Sequence, residues 1–383
     1  MSYSFQTAGN IIVGRDKRRE IPLICSGFGK RILFVTGRRT VFLDEMIPEF
    51  LKLGCTVIAF QVETEPTTGI IERGLEIARK HRCDVIAAVG GGSVIDTAKA
   101  LAVLVPNSGT LMDHLEVIGD AVPLEKQKIP LVVAPTTAGT GAEATCNAVI
   151  RSKKHKVKVS LRSVNMFPSC VVIDPVCTRS MTPELTAFSG FDAMTQLIES
   201  YLSKNANPIT DALCIEGLRK VHDSFFKAYQ DGTDIQAREE MCVASLLSGM
   251  ALANSKLGAV HGIAGPLGGM IDAPHGGICA ALLGPVMIKN IARIQKDHIS
   301  DAALRVNIIS QVLFDASKDH SDNLVSGIKD LARKMKIPGL GSCGFSDADY
   351  TELADKALRA SSMKGNPVEL NTEELFEIFT MAL

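Results

Sequence analysis

The fold is set by residues 84–99, which read Asp84-Val-Ile-Ala-Ala-Val-Gly-Gly-Gly-Ser-Val-Ile-Asp-Thr-Ala-Lys99. The apolar run predicts a buried strand, the glycines a tight turn, and the residues from Ser93 onward a helix. Glycines let a phosphate approach the backbone closely, and the helix offers its unpaired N–H groups and positive dipole end. We predict a pyrophosphate site. A purely structural turn is the alternative, because Ile95 replaces the third glycine of G-x-G-x-x-G.

Short β-rich runs alternate with helical patterns on both sides of this turn, and long helical patterns take over after Asp174-Pro175. The alternation predicts a parallel sheet covered by helices. We therefore predict an α/β N-terminal domain over residues 1–178 and an all-α C-terminal domain over 179–383. The predicted strands are 31–36, 55–60, 84–89 and 129–134, with shorter runs at 147–152, 157–162 and 170–174, and the helical patterns include 41–53, 69–82, 93–105, 183–202, 208–229 and 237–257.

The composition excludes several classes of protein. The 383 residues are 46% hydrophobic, and 41 basic against 42 acidic residues leave no excess charge for nucleic acid. The basic run 151–158 is more typical of an exposed hairpin edge. Ten cysteines without a C-x-x-C pair indicate reduced core residues, and neither a signal peptide nor a membrane span is evident, so we expect a cytoplasmic protein.

Two histidines lie in a segment that carries almost no charge. Between Leu257 and Ile288 the one formal charge is Asp272, so His261 and His275 need a partner that compensates for their burial. Asp192 and Gln196, at i and i+4 of a predicted helix, present a carboxylate and a carboxamide on one face. Two imidazoles, one carboxylate and one neutral oxygen suit Fe(II), Zn(II) or Mn(II), and we see no thiolate in the set. Core histidines and a helix-capping Asp are the alternative.

A second polar loop follows the strand 129–134 and reads Pro135-Thr-Thr-Ala-Gly-Thr-Gly-Ala-Glu-Ala-Thr145. Hydroxyl groups and bare backbone at the carboxyl end of a parallel strand suit ribose or phosphate contacts. Helix capping by Thr140 is compatible with the same role.

With these motifs the chain resembles the iron-containing, group III alcohol dehydrogenase family, within the glycerol dehydrogenase and dehydroquinate synthase-like superfamily. The resemblance covers almost the whole chain. It includes Gly190-Phe-Asp-Ala-Met-Thr-Gln196 and Val260-His-Gly-Ile-Ala-Gly-Pro-Leu-Gly-Gly269 followed by Pro274-His-Gly276, in addition to the glycine turn and the threonine loop. It implies a Rossmann-like NAD(P)-binding domain, a helical metal-binding domain with the metal in the cleft between them, and hydride exchange with an alcohol or aldehyde. It also implies a homodimer or larger homo-oligomer, and residues 5–13 are a plausible edge for pairing.

The same resemblance assigns roles to individual residues. Asp192, His261 and His275 match family metal ligands and are the predicted catalytic residues, and Gln196 stands where the family usually has histidine. Lys158 matches a lysine that reaches the cofactor. The residues that match pyrophosphate and nicotinamide contacts are Gly91, Gly92, Ser93, Asp96, Thr136, Thr137 and Thr140.

Two departures from the family pattern fall at the predicted chemistry. Gln196 is a weaker donor than imidazole, so we expect metal affinity to fall or metal choice to shift toward ions that accept oxygen ligands. Gly265 stands where the family commonly places a histidine beside the nicotinamide, which removes a proton relay and leaves room for a bulkier or more polar substrate. A water chain or a ribose hydroxyl would then carry the proton.

The cofactor preference is predicted from the end of strand 31–36. NAD-preferring relatives often have an acid at the position of Gly37, where it would repel a 2′-phosphate. Glycine followed by Arg38 and Arg39 should accept that phosphate, so we predict a preference for NADP over NAD.

In the leading hypothesis a bound Fe2+ or Zn2+ acts as a Lewis acid on the substrate oxygen while the nicotinamide exchanges hydride. Two alternatives remain at this point. One is a metal-independent NAD(P)H reductase of a keto or aldehyde acid, similar to maleylacetate reductases. The other is a dehydroquinate-synthase-like lyase or a catalytically silent paralogue.

Overall fold

The computed structural model describes residues 2–155, 157–315 and 320–383, with residues 320–322 described by their backbone alone. The chain forms two compact units. The sheet unit comprises Thr7–Thr137 and Gly141–Arg179, and the helical unit comprises Ala138–Thr140, Ser180–Leu383 and the residues that precede Thr7. The predicted fold class is confirmed, since one unit is built on a parallel sheet and the other is helical.

The sheet unit is organised around a six-stranded sheet whose paired strands are all parallel. Its order is β1-β8-β5-β4-β2-β3, so the predicted edge region supplies an edge strand, β1. A separate antiparallel hairpin, β6–β7, contains the basic run, as the sequence predicts. The strands are β1 Asn10–Val13, β2 Arg31–Thr36, β3 Thr56–Gln61, β4 Val85–Gly90, β5 Leu131–Pro135, β6 Asn147–Ser152, β7 Val157–Arg162 and β8 Cys170–Ile173.

Helices cover this sheet because its central strands are apolar on both faces. All six residues of β4 and all five of β5 are buried, as expected for inner strands of a parallel sheet. One face packs in a cluster that includes Phe34 and Phe50, whose rings meet edge to face with centroids 6.2 Å apart. The helices of this unit are α1 Ile21–Phe28, α2 Val41–Lys52, α3 Thr68–Lys80, α4 Gly92–Leu104 and α5 Leu111–His114.

The strand order places three polar turns side by side. β4 pairs with β2 on one side and with β5 on the other, and Gly90 lies opposite Pro135 in the register. The carboxyl ends of these strands therefore meet at one edge of the sheet. Gly37, Gly91 and Thr136 follow that edge.

The helical unit is built around α6, which is buried along most of its length. The Thr182 side chain accepts a hydrogen bond from the Leu185 N–H, and Pro183 occupies the first turn, so the helix begins with favourable capping. A Cβ at Gly190 would lie 2.0 Å from the Phe225 ring, so glycine is required where α6 and α7 approach. The helices are α6 Pro183–Leu202, α7 Pro208–Gln230, α8 Ile235–Ser255, α9 Ala259–Met270, α10 His275–Lys296, α11 Ser300–Phe314, α12 His320–Lys334, α13 Tyr350–Arg359 and α14 Thr372–Ala382.

Helix α10 is long and apolar enough to cross a membrane by length and composition. However, 72% of its most apolar window is buried inside the protein. Internal packing therefore accounts for its apolar character.

Candidate active site

Three helices of the helical unit bring four side chains together. Asp192 of α6, His261 of α9, and His275 and Cys279 of α10 have ligand-type atoms that all lie within 4.8 Å of one another. His261 Nε2 is 3.2 Å from Asp192 Oδ1, and His275 Nε2 is 3.9 Å from the same oxygen. A carboxylate, two imidazoles and a thiol at these separations form a group that could hold a metal ion.

The first turn of α9 positions His261. Gly258 precedes the helix and has no side chain to cap it, so the free N–H groups need outside acceptors. Glu199 of α6 accepts from the Val260 N–H at 2.6 Å, and Asn366 accepts from the Ala259 N–H at 3.1 Å. The start of α9 is thereby tied to α6, the helix that carries Asp192.

Glu199 also orients the imidazole that follows. Its second oxygen lies 2.7 Å from His261 Nδ1, so that nitrogen carries the proton and Nε2 is directed at Asp192. A carboxylate behind a histidine is the arrangement that fixes tautomer and ring orientation in metal sites.

Close backbone contact positions His275. A Cβ at Gly276 would lie 2.2 Å from the carbonyl oxygen of Phe188 on α6, so a side chain there would push the start of α10 away. His275 is the first residue of α10, and Cys279 lies one turn later on the same face. Its Sγ is 3.7 Å from His275 Nε2 and 3.9 Å from His261 Nε2.

The four groups shift one another's protonation. Burial alone would raise the pKa of Asp192, but the hydrogen bond with His261 and the charges of both histidines hold it below the ordinary value. Burial would lower the pKa of His261, yet Cys279, Asp192 and Glu199 raise it well above that of a free imidazole. Cys279 raises the pKa of His275 against burial. Burial would raise the pKa of the Cys279 thiol, but the two imidazoles lower it.

These residues fit a metal ion. When His261 donates its Nδ1 proton to Glu199, the neutral ring presents a lone pair at Nε2 to the negatively charged Asp192 oxygen. Two acceptors facing each other at 3.2 Å in a buried site require a cation between or beside them, either a proton or a metal. The site chemistry therefore matches the predicted metal.

Gln196 is buried beside this group, with its amide held by other partners. Its Nε2 donates to the Thr140 carbonyl at 3.3 Å, and its Oε1 accepts from Ser248 Oγ at 2.8 Å. The Thr140 carbonyl can only accept, so the amide nitrogen must face it and the oxygen must face Ser248. The Gln196 side chain also contributes to the lowered pKa of Asp192.

Sequence reasoning missed two of these residues. Glu199 supplies the compensating charge that the segment 257–288 lacks, and its signal was the heptad spacing from Asp192 along α6. The thiol of Cys279 was interpreted as part of the core, and the structure places it in the same group as Asp192, His261 and His275. The i,i+4 spacing from His275 at a helix start was the available signal.

The predicted phosphate turn lies in the sheet unit. Gly91 precedes α4 without a capping side chain, and a Cβ at Gly90 would lie 2.5 Å from Val94 Cβ. The backbone amides of Gly92 and Ser93 therefore lie in the first turn of α4. This turn is next to the threonine loop, since a Cβ on Gly91 would lie 3.4 Å from the Thr137 side chain. The turn brings bare backbone and hydroxyl groups to one place, as a phosphate site needs.

The other predicted cofactor residues have structural partners. Asp96 pairs with the fully buried Lys99 at 2.9 Å and accepts from the Val149 N–H at 3.0 Å, which ties α4 to β6. Lys158 on β7 pairs with Glu65 at 2.7 Å. Arg38 is exposed after β2 and donates from Nε to the Glu63 carbonyl at 3.1 Å. Beside Gly37 there is free space, since a Cβ there would meet Val94 only at 3.9 Å.

A parallel sheet with a glycine turn, together with a helical unit that carries an acid–histidine group, is the architecture that the sequence resemblance implies for a metal-dependent dehydrogenase. Comparison with known proteins agrees. Residues 8–175 match the family model of iron-containing alcohol dehydrogenases, and residues 186–383 match the C-terminal domain model of the same family. The chain belongs to the iron-containing alcohol dehydrogenase family.

Individual relatives are similar over nearly their whole length. The chain is 34% identical to the 1,3-propanediol dehydrogenase of Citrobacter freundii over 363 residues, 92% of each protein. A crystal structure of a 1,3-propanediol oxidoreductase superposes with a TM-score of 0.92 at 30% identity, covering all of both chains. The sulfoacetaldehyde reductase of Bifidobacterium kashiwanohense, solved with NAD+, gives a TM-score of 0.85 at 27% identity, covering 100% of this chain and 99% of that one.

The chain is therefore an oxidoreductase that acts on CH–OH groups. It is a metal-dependent alcohol dehydrogenase that uses a nicotinamide dinucleotide and small alcohols or aldehydes. Its relatives are dehydrogenases and reductases, which favours this function over the lyase alternative.

Proposed function

We propose that this enzyme interconverts a small alcohol and its aldehyde, prefers NADP(H), and holds one Fe2+ or Zn2+ through Asp192, His261 and His275. One observation carries the proposal. Side chains from three different helices converge on one point, with Glu199 orienting the imidazole of His261 from behind. A core histidine would not need a second buried carboxylate.

The side chains divide the work between binding and orientation. Asp192 and the two imidazoles hold the cation, which supplies Lewis acidity toward the substrate oxygen when it is bound. Glu199 keeps His261 in one tautomer, and the rigid helices fix the separation of the donor atoms. The glycine turn and the threonine loop bind the dinucleotide backbone and so position the nicotinamide for hydride transfer.

Gly265 affects both substrate size and proton transfer. It is exposed on α9, one turn after His261, and a Cβ there would meet nothing within 4 Å. This space leaves room for a bulkier or more polar substrate than a larger residue at position 265 would allow. No titratable group is supplied by this position, so water or a ribose hydroxyl carries the proton.

The NADP(H) preference rests on the end of β2. Gly37 offers no acid to repel a 2′-phosphate, and the exposed Arg38 donates from Nε to the Glu63 carbonyl at this edge. Guanidinium groups bind phosphate in a bidentate manner. The ratio of kcat/KM for NADPH to that for NADH should exceed one and fall several-fold in Arg38→Ala, while Arg219→Ala on the surface of α7 leaves it unchanged. A ratio that favours NADH by tenfold or more would refute this preference.

The metal is tested by elemental mass spectrometry on protein purified without oxygen and offered Fe(II), Zn(II) and Mn(II) in competition. About one equivalent of a single metal is expected, with turnover lost on chelation and restored on reloading. Turnover that persists in metal-free protein would favour the metal-independent reductase.

We further propose a cytoplasmic homodimer or larger homo-oligomer. The cysteines of the described residues are free thiols, which suits a reducing compartment. The edge position of β1 offers backbone groups for pairing between copies.

A further inference from the structure

The position of Gln196 leaves the metal group one ligand short. The family resemblance implies a histidine at this position. Gln196 stands there instead, and its amide oxygen is the one atom it could offer to a metal. That oxygen already accepts a hydrogen bond from Ser248 Oγ at 2.8 Å, and the amide nitrogen, which carries hydrogens and cannot bind a cation, donates to the Thr140 carbonyl at 3.3 Å.

Rotating the amide would not solve the problem. The oxygen would then face the Thr140 carbonyl, which can only accept, at the 3.3 Å now occupied by a hydrogen bond. The new contact would place two acceptors against each other in a buried position, at a cost of a lost hydrogen bond and a desolvated carbonyl. The partners of Gln196 therefore fix its amide, with the nitrogen at the Thr140 carbonyl and the oxygen at Ser248.

A second candidate donor lies against the two imidazoles. Cys279 is fully buried at 0% exposure, and its Sγ faces both histidine Nε2 atoms. The side chain belongs to the first turns of α10, which His275 begins, so one rigid element presents both donors. Pro274 before this helix and the close contact of Gly276 with Phe188 hold that element in place.

The separations agree with shared coordination. In a tetrahedral site, two nitrogen or oxygen ligands at about 2.05 Å from the ion lie about 3.3 Å apart, and a sulfur at about 2.3 Å lies about 3.6 Å from a nitrogen. The observed distances are 3.7 and 3.9 Å for Cys279 Sγ to the two imidazoles, and 3.2 Å for His261 to Asp192. The His275 to Asp192 distance of 3.9 Å is the longer edge, and a small rotation of the half-exposed His275 ring would shorten it.

We infer that the fourth protein ligand of the metal is the thiolate of Cys279 and that Gln196 is a structural residue whose amide is held by Thr140 and Ser248. The inference rests on the proposed metal site and changes its donor set to one carboxylate, two imidazoles and one sulfur. A sulfur donor selects Zn(II) and Fe(II) over Mn(II), the opposite of the shift expected from a glutamine oxygen.

X-ray absorption spectroscopy of the full-length protein tests this directly. The protein is stripped with a chelator, reloaded with one equivalent of Zn(II), and measured at the zinc edge. We expect one sulfur scatterer at about 2.3 Å beside nitrogen and oxygen at about 2.0 to 2.1 Å. This measurement needs no substitution, so a variant that fails to fold cannot weaken it.

Three variants locate the sulfur. Cys279→Ala should lose the sulfur shell and bind zinc at least tenfold more weakly in competition with a chromogenic chelator. Gln196→Leu, which keeps the volume, should retain the sulfur shell and bind zinc within about threefold of the unmodified protein. Cys214→Ala is the matched control, because Cys214 is an equally buried thiol on α7.

The outcomes separate the inference from the function on which it rests. Bound zinc with only nitrogen and oxygen scatterers, or a sulfur shell that survives Cys279→Ala, overturns the assignment of Cys279 and leaves the metal-dependent function standing. Failure of the protein to bind any metal overturns both. Weak zinc binding in Gln196→Leu with intact binding in Cys279→Ala would return the ligand role to Gln196.

Discussion

The two predicted binding regions use different parts of the polypeptide. The glycine turn of the sheet unit offers backbone amides, and it requires glycine because a Cβ at Gly90 would overlap Val94. The acid–histidine group of the helical unit offers side chains from α6, α9 and α10, each fixed by contacts distant in sequence. The first region depends on the absence of side chains. The second depends on the identity of its side chains and on the relative positions of α6, α9 and α10. Substitutions should therefore fail in different ways in the two regions.

The largest effect is expected from removing one ligand of the helical unit. His275→Ala should lower metal affinity by more than roughly 100-fold and reduce turnover in parallel, because the methyl group of alanine has no lone pair to donate to the metal. NADP(H) binding, measured by fluorescence titration, should remain.

The exposed His81 after α3 provides the control, and His81→Ala should leave both quantities unchanged. Full turnover by metal-depleted His275→Ala would show that the metal has no part in the mechanism. The contrast between a backbone-dependent region and a metal-binding region would then be wrong.

The pH dependence of metal binding should be nearly as large. The pKa values of His261 and His275 are raised, so without metal these rings hold protons at pH values above the ordinary histidine range of about 6.5. Metal binding must displace those protons, so apparent affinity falls as pH decreases through the raised values, by up to about 100-fold per pH unit when both rings compete.

Equilibrium competition with a chelator across neutral to mildly acidic pH measures this slope. Dinucleotide affinity should show no comparable slope over the same window. A flat metal profile would mean that the histidines are not ligands.

Glu199→Gln tests the support behind His261. The amide keeps the size of the side chain but removes the charge that holds the Nδ1 proton, so the tautomer is no longer fixed. We expect metal affinity to fall about 10- to 100-fold.

Because Glu199 also caps α9, thermal unfolding of the metal-free variant is compared with that of the metal-free original. A loss of stability with unchanged metal affinity would show that Glu199 serves the helix alone.

The smallest effect is expected in the sheet unit. Gly90→Ala places a methyl group 2.5 Å from Val94 Cβ, so the turn must shift and dinucleotide affinity should drop about tenfold, while zinc content stays the same. Gly69→Ala at the start of α3 is the matched control, since a Cβ there meets nothing within 4 Å. Equal loss of zinc and dinucleotide in Gly90→Ala would contradict the separation of the two regions.

The sequence predicted the sheet unit better than the helical site. Residues 84–99 contain the strand, the turn and the helix in one continuous segment, and β4 and α4 were found within about a residue of their predicted bounds. In the helical unit, Asp192, His261 and His275 were identified by type and spacing, and the structure brings them together. Their roles as ligands remain predictions.

Sequence alone determined the alternation that gives a parallel sheet and the glycine turn, because each is encoded by residues close together in the chain. It identified three donors by their residue types and by the lack of charge around the two histidines. Only the tertiary structure decided that Glu199 lies behind His261, that Cys279 enters the group, and that the Gln196 amide is held by the Thr140 carbonyl and Ser248. These three positions depend on the packing of helices that are distant in sequence, because that packing decides which hydrogen-bond partners meet. Thr140 and Ser248, each more than fifty residues from Gln196, fix its amide, and no local pattern around Gln196 specifies them.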